Sequence, residues 1–264
     1  MIRFCILLII LTYFHSLYAQ ETTLHSIELG TSLRASALRE DNQSPFLYKA
    51  FSAPVYIRYN RYLPDHQHFI LQGIFTLPKY KNQVNGTNIK GFSQYFLVGK
   101  LWQYHPDKSH NIESHFGVGL KQWVQFRNYK YLDGLFSEQS GEICSSVSFL
   151  FEFRKPFQKK SYISFNGSYG LISYLLAHDY NPNSFYKLKK LDSFRGPWST
   201  MNFGYTIRYA AKSSGKVQFF MQYSFNYLGY KRHFKTRNLF QDFGVGLMLN
   251  WHGKRNQGKN ESQL

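Results

Sequence analysis

The chain has 264 residues, a formal net charge of +17 and an aromatic content of 19% from 25 Phe, 21 Tyr and 4 Trp. Its two cysteines, Cys5 and Cys144, exclude a small secreted scaffold held together by disulfides. The mean hydropathy of −0.40 is that of a soluble protein, but the aromatic content is high for a soluble core.

The first residues, "MIRFCILLIILTYFHSLYAQ", combine Arg3, an apolar run from Phe4 to Phe14 and a small residue at Ala19. This pattern is typical of a secretory signal peptide cleaved after Ala19. The run is too short for a retained anchor, which needs ~20 apolar residues to span a bilayer. We therefore predict a signal peptide at residues 1–19, an exported domain at 20–252 and a polar basic tail at 253–264.

Ten segments of the chain alternate apolar and polar residues with a period of two, as expected of tilted membrane-spanning strands. They are Thr23–Leu38, Ala53–Leu63, Gln67–Leu77, Phe92–Tyr104, Asn111–Phe126, Glu142–Arg154, Ser161–Leu176, Ser199–Ala210, Lys216–Tyr230 and Leu239–Trp251.

The ninth segment shows the alternation best. In "VQFFMQYSFNYLGY", one parity runs from Val217 through Phe219 to Tyr227 and is apolar or aromatic. Up to Asn226, the other parity is polar and uncharged, with Phe220 as the exception. The fourth segment, "SQYFLVGKLWQY", has large apolar residues on both parities and leaves its register open. The pattern predicts rings that face lipid and polar side chains that face a lumen.

Connections between the segments alternate between short turns such as "PDH" and longer stretches such as "KYKNQVNGTNIKG". Outer-membrane barrels have short periplasmic turns and longer external loops. We therefore predict an all-β fold: a closed antiparallel up-and-down transmembrane β-barrel of about ten strands, with eight to twelve left open. A soluble periplasmic ligand-binding barrel would reverse the parity, but its interior would be overfilled by so many rings.

The whole exported segment resembles the small, Tyr- and Phe-rich outer-membrane β-barrel proteins of Gram-negative bacteria, which are common in Bacteroidetes and end in a strand like "FGVGLMLNW". The resemblance implies an outer-membrane location and assembly by the barrel-assembly machinery. Here Trp251 is followed by a polar tail instead of closing the chain, so recognition would use an internal strand.

Three of the five predicted outer connections are basic: Lys79–Gly91, Ala177–Trp198 and Lys231–Asn238; Arg39–Ser52 and Arg127–Gly141 are balanced. Such a field attracts anions, and the anions at that surface are the phosphates of lipopolysaccharide. A generally basic, solvated surface is the alternative. Nucleic acid is not expected, because it would explain neither the signal peptide nor the parity. The candidate contacts are Lys187, Lys189, Lys190, Arg195, Lys231, Arg232, Lys235 and Arg237.

Charged residues also occur on the parity predicted to face the lumen. Their mixed signs suggest a network of paired charges inside a filled interior, since a ten-stranded barrel has little room beyond its side chains. A narrow anion path along Arg34, Arg58, Lys121 and Arg208 is the alternative. The predicted lumen network comprises Glu28, Arg34, Arg58, Lys121, Glu152, Arg208 and Asp242.

A catalytic constellation is harder to find. His178 and Asp179 are adjacent, so they point to opposite faces of a strand and cannot share a site unless the strand has ended or bulged. No histidine has metal-ligand spacing, and no cofactor is predicted. The sequence favours a structural, surface-interaction or narrow-pore role, with an outer-membrane hydrolase, a lipid A deacylase or omptin-like protease, as the alternative.

Overall fold

The computed structural model describes residues 23–40, 44–63, 66–82, 88–104, 112–130, 137–157, 161–180, 191–214, 216–231 and 235–252. The predicted signal peptide and tail lie outside these residues. Within the described ranges, no helix is long and apolar enough to cross a bilayer. The strands are β1 (Leu24–Glu40), β2 (Ser44–Ser52), β3 (Val55–Tyr62), β4 (Gln67–Thr76), β5 (Lys79–Lys81), β6 (Asn88–Tyr104), β7 (Glu113–Lys130), β8 (Ser137–Phe157), β9 (Ser161–Tyr180), β10 (Leu191–Arg195), β11 (Thr200–Ser214), β12 (Val217–Lys231) and β13 (Lys235–His252).

These strands form one closed antiparallel sheet. The order runs β13-β12-β11-β9-β8-β7-β6-β4-β3-β1, and β1 then pairs with β13 from Leu24↔His252 to Glu40↔Thr236. The ring of hydrogen bonds passes through 10 strands, which confirms the predicted all-β up-and-down barrel. Closure leaves no free sheet edge along this ring.

The three remaining strands continue barrel strands after a break. β2 pairs with the upper part of β1, and β3 pairs with its lower part. The break between β2 and β3 falls at Ala53–Pro54. Another break, between β4 and β5, contains Pro78, whose carbonyl accepts a bond from Gly91 N at 2.9 Å. Proline has no N–H to donate to a ladder, so it interrupts the strand without ending the wall.

We call the half of the barrel nearest the short turns the lower wall and the half nearest the long connections the upper wall. The outer face of the lower wall is apolar. Leu33, Phe243, Val245 and Leu249 are each about half exposed or more, while their strand neighbours are buried or partly buried. On β13 this band runs nine residues, from Phe243 to Trp251, close to the ~9–11 that a tilted strand needs to span a bilayer. The predicted direction of the rings is confirmed, and the soluble barrel, which would bury them, is not supported.

An aromatic cluster marks the lower border of this band. His25 stacks on Trp251 with ring centroids 5.4 Å apart, and its Nδ1 lies 2.7 Å from the Tyr59 hydroxyl. Amphipathic rings of this kind form girdles at membrane interfaces.

Packing explains two irregularities in the sequence pattern: the inward position of Phe220 and the open register of the fourth segment. Phe220 points inward because Gly30 and Gly246, directly opposite each other, leave a notch for its ring; a Cβ on Gly246 would lie 2.4 Å from Phe220 Cζ. In β6, Tyr95 and Leu101 are among the buried residues, so this parity lines the interior. The register left open by the sequence is settled by apolar packing inside the barrel.

The predicted outer connections were drawn too long. β1 and β2 extend through most of Arg39–Ser52, β5 and β6 through much of Lys79–Gly91, and β7 and β8 through much of Arg127–Gly141. The pattern was missed because it changes here: many of the exposed residues are basic, and several of the buried ones are apolar. The buried apolar residues form an upper cluster of Leu38, Tyr48, Ala50, Tyr80, Ile89 and Tyr129.

Candidate functional site

The lower half of the lumen is filled by a network of buried charges. Glu28 Oε2 lies 2.7 Å from Arg208 Nη1 and accepts a hydrogen bond from the Tyr56 hydroxyl at 2.5 Å. Its Oε1 accepts a bond from Asn60 Nδ2 at 2.8 Å, and Arg208 Nη2 donates to Gln222 at 2.8 Å. Each group is therefore held by partners from several strands.

A second carboxylate continues this network toward the short-turn end. Glu152 lies 3.8 Å from Arg58 Nη2, 3.5 Å from His68 Nδ1 and 3.1 Å from Arg154 Nη2. Arg58 Nε in turn donates to Asn60 Oδ1 at 2.8 Å, which joins the two carboxylates. Together these residues form the lower network: Glu28, Tyr56, Arg58, Asn60, His68, Glu152, Arg154 and Arg208.

Two further ion pairs lie higher in the lumen. Arg34 and Asp242 are directly opposite on β1 and β13 and pair through two bonds of 2.6 and 2.8 Å. Arg127 and Glu142 form the other pair, on β7 and β8. Each buried charge avoids the cost of being unpaired only because its partner is present, and paired charges leave little free field for a passing ion.

Aromatic rings occupy the level between these pairs and the lower network. Trp123 stacks on Phe240 with centroids 5.1 Å apart, and Tyr95 packs on Trp123 at 4.8 Å. Lys121 lies beside them, 3.1 Å from Ser168 Oγ and 5.5 Å from the Tyr95 ring centroid. No carboxylate contacts Lys121 among the described residues. A cavity of about 60 Å³ lies below these rings.

All seven residues of the predicted lumen network are buried inside the barrel. The structure pairs Glu28 with Arg208, Arg58 with Glu152 and Arg34 with Asp242, and leaves Lys121 apart. Sequence reasoning missed Arg154, which has the same parity as Glu152, and His68, which has the same parity as Ile70. It missed the Arg127–Glu142 pair because Arg127 was assigned to an outer connection.

A belt of basic residues surrounds part of the upper wall on its outer face. We call Arg39, Lys49, Lys79, Lys81, Lys90 and Arg237 the basic belt; all six are exposed, and they lie on the neighbouring strands β13, β1, β2, β5 and β6. Three pairs are directly opposite in the ladders: Arg39↔Arg237, Lys49↔Lys81 and Lys79↔Lys90. Like charges at such positions are destabilising unless a counter-ion lies between them.

The height of the belt is set by the apolar band below it. Phe51 and Leu77 are 84% and 72% exposed, and the next outward residues along the chain are Lys49 and Lys79. A step of two strand residues is ~7 Å. The basic belt therefore begins one side chain beyond the apolar band. When the hydrocarbon of a bilayer covers the band, the belt lies at the level of the lipid headgroups.

The predicted anion contacts are only partly described. Lys187, Lys189, Lys190 and Arg232 lie outside the described residues. Lys231 and Lys235 are opposite each other at the ends of β12 and β13. Arg237 belongs to the basic belt, and Arg195 lies in β10, where its Nε donates to Ser193 Oγ at 3.1 Å. These four residues are therefore in strands and not in loops.

The hydrolase alternative required histidines near the outer mouth. His178 and Asp179 occupy successive positions in β9, and the strand continues through both. Their side chains lie outside the described part of the structure. The histidines with described side chains all belong to the short-turn half of the wall: His25, His66, His68, His115 and His252. No group of three His, Cys, Asp or Glu that could hold a metal occurs in the described part of the chain.

Comparisons with known proteins support the fold. No family model and no curated protein matches the chain. The outer membrane protease OmpT from Escherichia coli is similar with a TM-score of 0.62 and 9% identity, covering 88% of this chain and 98% of that one. The translocator domain of the autotransporter NalP from Neisseria meningitidis gives a TM-score of 0.45 and 10% identity, over 90% of this chain and 91% of that one. The similarity to OmpT shows that the chain has the fold of a Gram-negative outer-membrane β-barrel.

Proposed function

We propose that the protein is a non-conducting barrel of the bacterial outer membrane that binds the phosphates of lipopolysaccharide through the basic belt. The single observation that carries this proposal is that like charges lie directly opposite each other at Lys49↔Lys81 and Lys79↔Lys90, just beyond an apolar band. An anion shared by each pair relieves their repulsion, and the lipid A phosphates lie at this level of the outer leaflet.

The packing in the middle of the lumen supports the non-conducting part of the proposal. Three of the four cations of the alternative anion path, Arg34, Arg58 and Arg208, are paired with carboxylates, and the Trp123–Phe240 stack lies across the interior between them. A wall held by these contacts favours a structural and surface-interaction role. We expect purified protein in a planar bilayer to give no stepwise channel current.

The lipid-binding part is tested by titrating the detergent-solubilised protein with lipopolysaccharide and with the same lipid after removal of its phosphates. The test variant is Lys49→Gln/Lys81→Gln, which removes one stacked pair. The matched control is Lys100→Gln/Lys155→Gln, which removes two outward-facing charges near the short-turn end. At about 1 kcal/mol for each lysine near a charged surface, the test variant should bind about thirtyfold more weakly.

The control variant and the wild type should bind lipopolysaccharide alike. Dephosphorylated lipid should bind weakly to all three proteins. Equal affinity of the test variant and the wild type for the phosphorylated lipid would refute the role of the belt.

A further inference from the structure

A separate cavity of about 340 Å³ lies at the short-turn end of the lumen. Tyr62, Arg154, Tyr162, Gln218 and Asn250 line it, with Leu24, Met248 and His252 around them and Lys216 at the turn before β12. This volume is in the range of small-ligand sites. β1 begins and β13 ends at this end of the barrel, which the predicted topology assigns to the periplasm, so the cavity would be open to solutes there.

The side chain of Arg154 is held in place at this cavity by several contacts. Its guanidinium carbon lies 4.6 Å from the Tyr162 ring centroid and 5.4 Å from that of Tyr62, so the planar group is held between two rings. Nη2 donates to the Tyr62 hydroxyl at 2.8 Å and to Glu152 at 3.1 Å. Nε is buried without a hydrogen-bond partner, so the guanidinium retains unused donor capacity.

The charge around Arg154 is only partly balanced. Glu152 is shared with Arg58 and His68, and no carboxylate lines the cavity among the described residues. Lys216 adds an exposed positive charge at the mouth. The cavity therefore favours an anion, and a planar guanidinium is suited to a planar carboxylate.

The rest of the lining indicates what carries that carboxylate. Gln218 and Asn250 have side-chain amides with no hydrogen bond to another described side chain, and amides pair well with peptide groups. Leu24 and Met248 add apolar contact. We propose that this cavity binds the terminal carboxylate of a peptide on the periplasmic side, with Arg154 and Lys216 as the anion-binding residues.

Binding can be measured on the full chain in lipid nanodiscs by isothermal titration calorimetry. The probes are tri-L-alanine, L-Lys-D-Ala-D-Ala, the carboxamide of each and inorganic phosphate. The two peptides distinguish a protein C-terminus from a cell-wall stem peptide as the source of the carboxylate. At least one free acid should bind about tenfold or more tightly than its carboxamide.

The variant Arg154→Gln should weaken binding of that acid about tenfold or more, and Lys216→Gln about fivefold. Lys155→Gln removes a charge from the outer face of the same strand and should leave binding unchanged. Because Arg154 belongs to the lower network, its variant is first checked for heat-modifiable migration on a gel, and Lys216→Gln provides the test if it misfolds. Equal binding of acid and carboxamide, binding of phosphate alone, or wild-type affinity in Lys216→Gln would overturn the proposal.

Discussion

The lower and upper parts of the wall use the same strands in opposite ways. On β1, Leu33 is 74% exposed and its neighbour Arg34 is 1% exposed and paired with Asp242. Four residues further on, Leu38 is fully buried and Arg39 is exposed. The lower wall has an apolar outside and a charged inside, whereas the upper wall has the arrangement of a water-soluble barrel.

This inversion shows that solvent, and not the strand, decides which parity is apolar. A strand places alternate side chains on its two faces wherever it lies. Hydrocarbon outside the lower wall selects large apolar residues there, and the charges inside must be paired because they are removed from water. Water outside the upper wall selects lysine and arginine, and apolar residues such as Leu38 and Tyr129 pack in the interior beside the Arg127–Glu142 pair.

The largest effect should come from breaking the charged interior of the lower wall. Glu28→Gln leaves Arg208 buried without its carboxylate, so we expect the free energy of unfolding to fall by about 4 kcal/mol. Urea titration in detergent micelles measures this change. Glu113→Gln, a half-buried carboxylate at the start of β7, should change stability by less than about 1 kcal/mol. A small effect of Glu28→Gln would show that the lower network does not stabilise the barrel.

The apolar interior of the upper wall is tested by Leu38→Ala. Leu38 is fully buried in the upper cluster, and the cavity left by its removal should cost about 3 kcal/mol. Leu47, beside it on β2, is 47% exposed, so Leu47→Ala should cost less than about 1 kcal/mol. The same urea titration distinguishes the two, and equal losses would contradict the assignment of inside and outside above the band.

The lipid-facing outside of the lower wall is tested by Leu247→Arg. Leu247 lies near the middle of the band on β13, where an arginine should cost about 2 kcal/mol or more in a membrane barrel. Gln241→Arg, on the same face beyond the band, should cost less than about 1 kcal/mol. Refolding yields into bilayers at increasing urea report both values. If the two substitutions cost the same, the band does not lie in lipid.

The smallest effect concerns the outside of the upper wall. Lys81→Gln removes one member of the pair with Lys49 and should change the free energy of unfolding by less than about 0.5 kcal/mol. It should reduce affinity for lipopolysaccharide about fivefold. Lipid titration and urea titration on the same preparation separate the two effects. A loss of stability without a loss of affinity would make Lys81 a structural residue.

The sequence predicted the lower wall well because both faces there have a strong and consistent preference. Phe219 and Phe243 outside, with Gln222 and Asp242 inside, follow the alternation residue by residue. The inward position of Phe220 is also consistent with the sequence, because the notch for its ring is formed by two glycines, Gly30 and Gly246.

The upper wall was harder because the search required apolar residues on the outward parity. In "SPFLYKAFS" the inward residues Tyr48 and Ala50 are no more apolar than their outward neighbours Leu47 and Phe51, so the pattern does not indicate a strand. The basic belt depends on which strands are neighbours and in what register. Lys49 and Lys81 are far apart in the chain, and the pairing of β2 with β5 places them side by side.

The border between the two walls is the central claim, and spin-label depth measurement tests it most directly. In a Cys144→Ser background, a label is attached at Phe51→Cys or at Lys49→Cys, and collisions with oxygen and with a water-soluble nickel complex are measured in lipid bilayers. We predict that the label at position 51 collides mainly with oxygen and the label at position 49 mainly with nickel. Labels that are equally accessible to nickel would contradict the account, because the outward rings would then face water.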